Sequence, residues 1–226
     1  MPRFAHGVLR FQDEIFPAKK ALFERLSLGQ APEALFFTCS DSRIETAMIT
    51  QTAPGELFVC RNAGNIVPPH SNLTGAMTAS LEYAVAVLKV PHIVVCGHTE
   101  CGAMKGAMNP DSLDGLQHVR EWLSYSRAAV EIVNEIGGEL DDAGRMQLVT
   151  EHNVILQLQH LRTHPSVAAR LARGDLELHG WVYDIRTGQV SAYDEGARKF
   201  VPVAERYPAQ AKQRLIGKRA EAIRLV

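Results

Sequence analysis

The 226-residue sequence contains no run of about 18 or more apolar residues, so no transmembrane helix is expected. The stretch Met1 to Leu28 mixes Asp13, Glu14, Lys19, Lys20 and Glu24 with apolar positions. It lacks the apolar block and small-residue cleavage site of a secretory signal, and the expected compartment is the cytoplasm. Four cysteines are too sparse for a disulfide framework. In a reducing compartment each should be a thiol, a metal ligand or a nucleophile. Charge of one sign is also missing: 24 Lys and Arg oppose 25 Asp and Glu. No global field then favours nucleic acid or an anionic membrane, and neither is expected as a partner. Repeats, low-complexity tracts and Gly/Ser linkers are absent too, so a single domain over 1–226 is the simplest organisation. An amphipathic helical arm at about 1–30 and a basic tail at about 204–226 should flank its centre.

What the sequence does contain is periodicity. Short apolar runs at Ala34–Cys39, Glu56–Cys60, His92–Gly97 and Leu176–Ile185 predict strands, and Gln189–Tyr193 predicts a hairpin partner for the last. Helical spacing is clearest at Thr74–Leu88, Leu113–Ile136, Ala143–Arg162 and Ser166–Arg173. Strands alternating with helices predict an α/β fold of three layers: a mainly parallel central sheet with one antiparallel edge strand and helices on both faces. In such sheets ligands bind beyond the carboxyl ends of the strands.

Leaving the first strand at that end gives Cys39-Ser40-Asp41-Ser42-Arg43. The third gives Gly97-His98-Thr99-Glu100-Cys101-Gly102. Catalytic zinc takes three protein ligands and keeps a fourth position for water, and two thiolates plus an imidazole are one known set. Cys39, His98 and Cys101 supply that set from two separate elements. A lone His-x-x-Cys would be weak, because buried cysteines and satisfied histidines are common. Here it coincides with Cys39 at the predicted crevice, beside Asp41 and Arg43. Cys60 and Cys96 lie inside apolar strands and read as small buried hydrophobes. His70, His92, His118, His152, His160, His164 and His179 have no motif around them and read as solvent-facing or core residues.

These two segments, with Arg61-Asn62-Ala63-Gly64-Asn65 and Glu82-Tyr83-Ala84, resemble the β-class carbonic anhydrases over roughly residues 7–203. The resemblance is to the bacterial, plant-like subgroup, including the enzyme associated with cyanate metabolism. The resemblance implies a zinc enzyme that interconverts carbon dioxide and bicarbonate and works as a homodimer or homotetramer, its N-terminal helix crossing to the partner and its site near the dimer interface. It also implies roles for individual residues. Two thiolates cancel the zinc charge, so water there needs more help than on three neutral imidazoles. Asp41 would orient that water while Arg43 holds the carboxylate off the metal; Asp41 is also a conditional fourth ligand that can close the site. Gln30, Phe58 and Tyr83 match the family's substrate-binding positions, and the backbone N–H of Gly102 can donate to a bound oxyanion. Alternatives with the same residues are hydrolysis of carbonyl sulfide or carbon disulfide, and a non-catalytic zinc scaffold or bicarbonate sensor. A cysteine-nucleophile enzyme fits less well, since Cys39 to Arg43 is too short for a phosphate-cradling loop.

Overall fold

The apolar runs do form strands, and their register delivers the two polar segments to one end of a sheet. The computed structural model describes residues 2–72 and 74–209. It contains a six-stranded sheet in the order β2-β1-β3-β4-β5-β6. The strands are β1 Ala34–Cys39, β2 Leu57–Asn62, β3 His92–His98, β4 Glu177–Tyr183, β5 Val190–Asp194 and β6 Lys199–Pro202. The first four are mutually parallel, while β5 and β6 run antiparallel at one edge. The antiparallel edge strand expected there is β5, and β6 adds a further strand outside it, pairing antiparallel with β5. Lys199-Phe200-Val201-Pro202 gave no strand signal because it is four residues long and ends in proline.

Alternation along the strands sorts the core into two faces. Leu35, Phe37, Ile93, Val95 and Val182 pack against helices Ala76–Glu82, Asp142–Thr163 and Pro165–Arg173. Ala34, Phe36, Val94 and Cys96 point the other way, with Leu57, Trp181 and Tyr183 against them.

The helix Asp142–Thr163 begins where Asp141 accepts the N–H of Gly144 at 2.8 Å, a side-chain cap. Val149, Asn153, Val154, Gln157, Leu158 and Leu161 recur at three- and four-residue spacing and are all buried. This helix lies close to the sheet because Gly97 and Gly180 stand beneath it. A Cβ at Gly97 would come within 2.9 Å of Val154 Cγ2, and one at Gly180 within 2.9 Å of both Leu158 Cδ1 and Val154 Cγ1.

Two helical expectations are subdivided. The stretch Thr74–Leu88 is an α-helix at Ala76–Glu82 that loosens into a π turn over Tyr83–Val87. The stretch Leu113–Ile136 is broken into helices Gln117–Leu123 and Arg127–Ile136. Gly115 there adopts φ +80, and Ser126 turns aside to donate its hydroxyl to Asn153. At the start of the chain, Arg3–Arg10 and Lys20–Leu26 are helical and contain no buried residue. Most of the expected basic tail, from residue 210, lies outside the described residues. Among those described, no helix is long and apolar enough to cross a membrane.

Candidate metal centre

Parallel pairing brings Cys39 at the end of β1 beside β3, which ends at His98; the turn after it carries Cys101. Glu100 at φ 56 makes that turn tight enough for His98 and Cys101 to face the same point. Cys39, His98 and Cys101 are all buried, and their ligand atoms lie within 4.8 Å of one another. The two sulfurs are 3.9 Å apart. Two thiolates on one tetrahedral zinc, each at about 2.3 Å, would be separated by about 3.8 Å.

The imidazole supplies the strongest indication that this group suits an ion. His98 Nδ1 lies 2.9 Å from the Thr99 carbonyl, which fixes Nδ1 as the protonated nitrogen. Nε2 then carries a lone pair, is fully buried and has no hydrogen-bond partner. Burying an unpaired polar atom is costly, and a cation shared with the two sulfurs removes that cost. The residues present therefore fit a metal ion.

The thiols are electrostatically prepared for it. Hydrogen bonding from Cys101, helped by His98 and the Gly64 N–H, draws Cys39 down to about 4 against the opposing effect of burial. Cys101 is pushed up, because Cys39 beside it and burial both disfavour a second thiolate. The pair gives up one proton readily and the second only when a cation shares the charge. Cys60 and Cys96 are both raised by burial, Cys96 to about 12, and remain neutral thiols within the strands.

Asp41 stands at the mouth of this group, its Oδ2 3.8 Å from His98 Nε2. Arg43 holds it three times: backbone N–H to Oδ1 at 3.0 Å, Nε to Oδ1 at 2.9 Å and Nη2 to Oδ2 at 2.7 Å. These bonds keep the Asp41 carboxyl well below the usual carboxylate range. Arg43 Nη2 also donates to the Glu100 carbonyl at 3.0 Å, tying the Cys39 loop to the His98 loop.

Several residues that position the site carried no signal of their own. Arg61 on β2 donates to the carbonyls of Cys39 and Asp41 at 3.1 and 2.7 Å, pinning the segment that bears both. The Gly64 N–H points at Cys39 Sγ from 3.4 Å, and at φ +82 that position favours glycine. Its loop is anchored from the long helix: Asn153 donates to the Gly64 carbonyl at 3.0 Å, and Gln157 accepts the Val67 N–H at 2.9 Å. Arg61 and Gly64 sit in segments already singled out; Asn153 and Gln157 looked like ordinary helix residues.

The substrate positions divide. Gly102 follows Cys101 directly and opens the helix Gly102–Met108, where the first N–H groups have no intrahelical acceptor. Phe58 pairs with Leu35, four residues before the Cys39↔Asn62 pair. At about 3.3 Å per residue it is about 13 Å along the sheet from its own chain's cysteine. Tyr83 packs on Phe58 with ring centroids 6.1 Å apart and is exposed, as is Gln30. Within one chain the fold assembles Cys39, His98, Cys101, Asp41, Arg43 and Gly102, and leaves Phe58 and Tyr83 together at a distance.

Fold and site define an α/β protein with a Cys, His, Cys group able to hold a metal ion at the carboxyl ends of parallel strands. Comparison with known proteins gives the family. The carbonic anhydrase family profile matches residues 34–190. A carbonic anhydrase of Pseudomonas aeruginosa is 51% identical over 199 residues, covering 88% of this chain and 90% of the relative. Carbonic anhydrase 1 of Escherichia coli O157:H7 is 46% identical, covering 90% and 93%. Among solved structures, the β-carbonic anhydrase CcaA superposes with a TM-score of 0.86 at 42% identity, over 88% of this chain and 90% of that one. The chain belongs to the β-carbonic anhydrase family and is a lyase of that class.

Proposed function

We propose that the protein catalyses the reversible hydration of carbon dioxide to bicarbonate and a proton, using one zinc ion held by Cys39, His98 and Cys101. The observation that carries this reading is the buried, partnerless Nε2 of His98 facing two sulfurs 3.9 Å apart. Bound zinc supplies an acidified water and a Lewis acid beside it. Asp41, kept anionic by Arg43, accepts a hydrogen bond from the attacking water and turns its lone pair toward carbon dioxide. Arg43 keeps the carboxylate from moving inward to act as the conditional fourth ligand. The Gly102 N–H can donate to the oxygen that gains charge as bicarbonate forms.

Gln30, Phe58 and Tyr83 complete the substrate site across a subunit interface in this reading. The distance of Phe58, and of Tyr83 packed on it, from the same chain's cysteine supports it. So does the unburied N-terminal arm, with Phe4, Val8, Leu9, Phe11, Ile15 and Phe16 all exposed. A solved relative from Sordaria macrospora, 34% identical with a TM-score of 0.69 over 83% of this chain and 90% of that one, is described as tetrameric. A homodimer or a homotetramer is the proposed assembly, acting in the cytoplasm.

Chelation tests the metal requirement. Removing the ion should abolish stopped-flow hydration of carbon dioxide, and one zinc per chain at this centre should restore it. Full activity after complete metal removal would refute the proposal.

A further inference from the structure

A second cluster of donor atoms lies at the opposite end of the sheet from Cys39, His98 and Cys101. His92 opens β3, Glu177 opens β4 and pairs with it in register, and His179 follows two residues later on the same face. His92 is six residues from His98, about 20 Å along the strand. His92 Nδ1 and His179 Nε2 are 3.2 Å apart, and Glu177 Oε2 lies 3.8 Å from the first and 3.7 Å from the second. These three atoms form a nearly equilateral triangle. Two donors bound at about 2.0–2.1 Å to one tetrahedral ion would stand about 3.3–3.4 Å apart.

The ring of His179 is oriented for this. Tyr207 Oη lies 3.0 Å from His179 Nδ1 and accepts the indole N–H of Trp181 at 3.2 Å. With Nδ1–H donated to the phenol oxygen, Nε2 presents its lone pair to the centre of the triangle. A plain hydrogen bond between the two imidazoles would account for the 3.2 Å separation. It would leave the carboxylate beyond bonding distance of both rings, in the place a shared cation would draw it to. His92 and Glu177 are partly and largely exposed, so water can complete the coordination, and the mostly covered His179 anchors the group.

We infer that His92, Glu177 and His179 form a second metal site, distinct from the Cys39–His98–Cys101 centre, that takes a first-row divalent ion of the zinc type. Two imidazoles with one carboxylate suit such an ion better than calcium or magnesium. Occupancy would clamp the starts of β3 and β4, the two strands that continue to His98 and to Tyr183.

The test is calorimetric titration of the zinc-loaded protein with Zn2+, paired with the absorption spectrum of the protein loaded with Co2+. A second equivalent should bind and raise the melting temperature by mass action. His92→Gln and Glu177→Gln should each weaken it by more than about tenfold, and Tyr207→Phe by about tenfold. Cys101→Ser should remove the sulfur-to-cobalt charge-transfer band, which belongs to the first centre, and leave the second equivalent intact. Glu177 lies on the surface, so its variant will fold even if His92→Gln does not. Absence of a second equivalent up to about 1 mM Zn2+, or wild-type affinity in Glu177→Gln, would overturn the inference.

Discussion

Arg43 grips the Asp41 carboxylate through three hydrogen bonds, one of them from its own backbone, so both the charge and the direction of that group are set locally. A carboxylate held in this way remains an anion through neutral pH and can accept a hydrogen bond from water throughout the working range. Asp41→Asn keeps the size and loses the charge. It should lower kcat by about 10²-fold while zinc content stays at one per chain, as metal analysis beside stopped-flow rates would show. Near wild-type turnover would assign the pair a purely structural role. Such residues were legible from sequence because their types are rare together: a thiol pair, an imidazole and an acid-base pair at strand ends specify chemistry before any fold is known. Arg61 and Gly64 were less legible, since what they do depends on which atoms the fold places 3 Å away.

The helix Asp142–Thr163 shows how an element distant in sequence builds the site. Its apolar positions predicted its location and nearly its limits. Its buried Asn153 and Gln157 were invisible as functional residues, because helical spacing alone does not say which loop a polar side chain meets. Asn153 serves Gly64, Ser126 and Gln157 at once. Asn153→Ala strands those partners and should cost about 1–3 kcal/mol in urea unfolding. It should also slow hydration by loosening the loop that presents the Gly64 N–H to Cys39; unchanged stability and rate would show that this helix plays no part in holding the site. The same helix carries His160, which lies 2.8 Å from the Val67 carbonyl, and just beyond its end His164 lies 2.9 Å from that of Pro68. Burial pushes both below the ordinary imidazole value of about 6.5. The unfolded chain therefore binds more protons than the folded one below that pH. Their contribution is fully present above about pH 6.5 and is lost as acid is added. Stability should fall between pH 7 and 5, and the slope should flatten in His160→Gln, whose amide can still donate to Val67. An identical slope in the variant would contradict this linkage.

At the scale of the whole molecule, parallel pairing does most of the positioning. It was legible because strand and helix patterns alternate along the chain. The added edge strand β6 and the breaks at Gly115 and Ser126 were not, being decided by turns and tertiary hydrogen bonds. If Tyr83 serves the neighbouring subunit, mixing inactive Cys101→Ser with inactive Tyr83→Ala protein under exchange conditions should restore activity, because one site of each mixed dimer is then whole. No recovery in verified heterodimers would place Tyr83 outside the shared site. The proposed interconversion of carbon dioxide and bicarbonate at the Cys39, His98 and Cys101 centre has a direct isotopic readout. It is tested most directly by following loss of oxygen-18 from labelled carbon dioxide into water by mass spectrometry. The wild-type protein should deplete the label far faster than buffer, and Cys101→Ser should match buffer. Depletion at the buffer rate by zinc-loaded wild type, or an undiminished rate in Cys101→Ser, would contradict it.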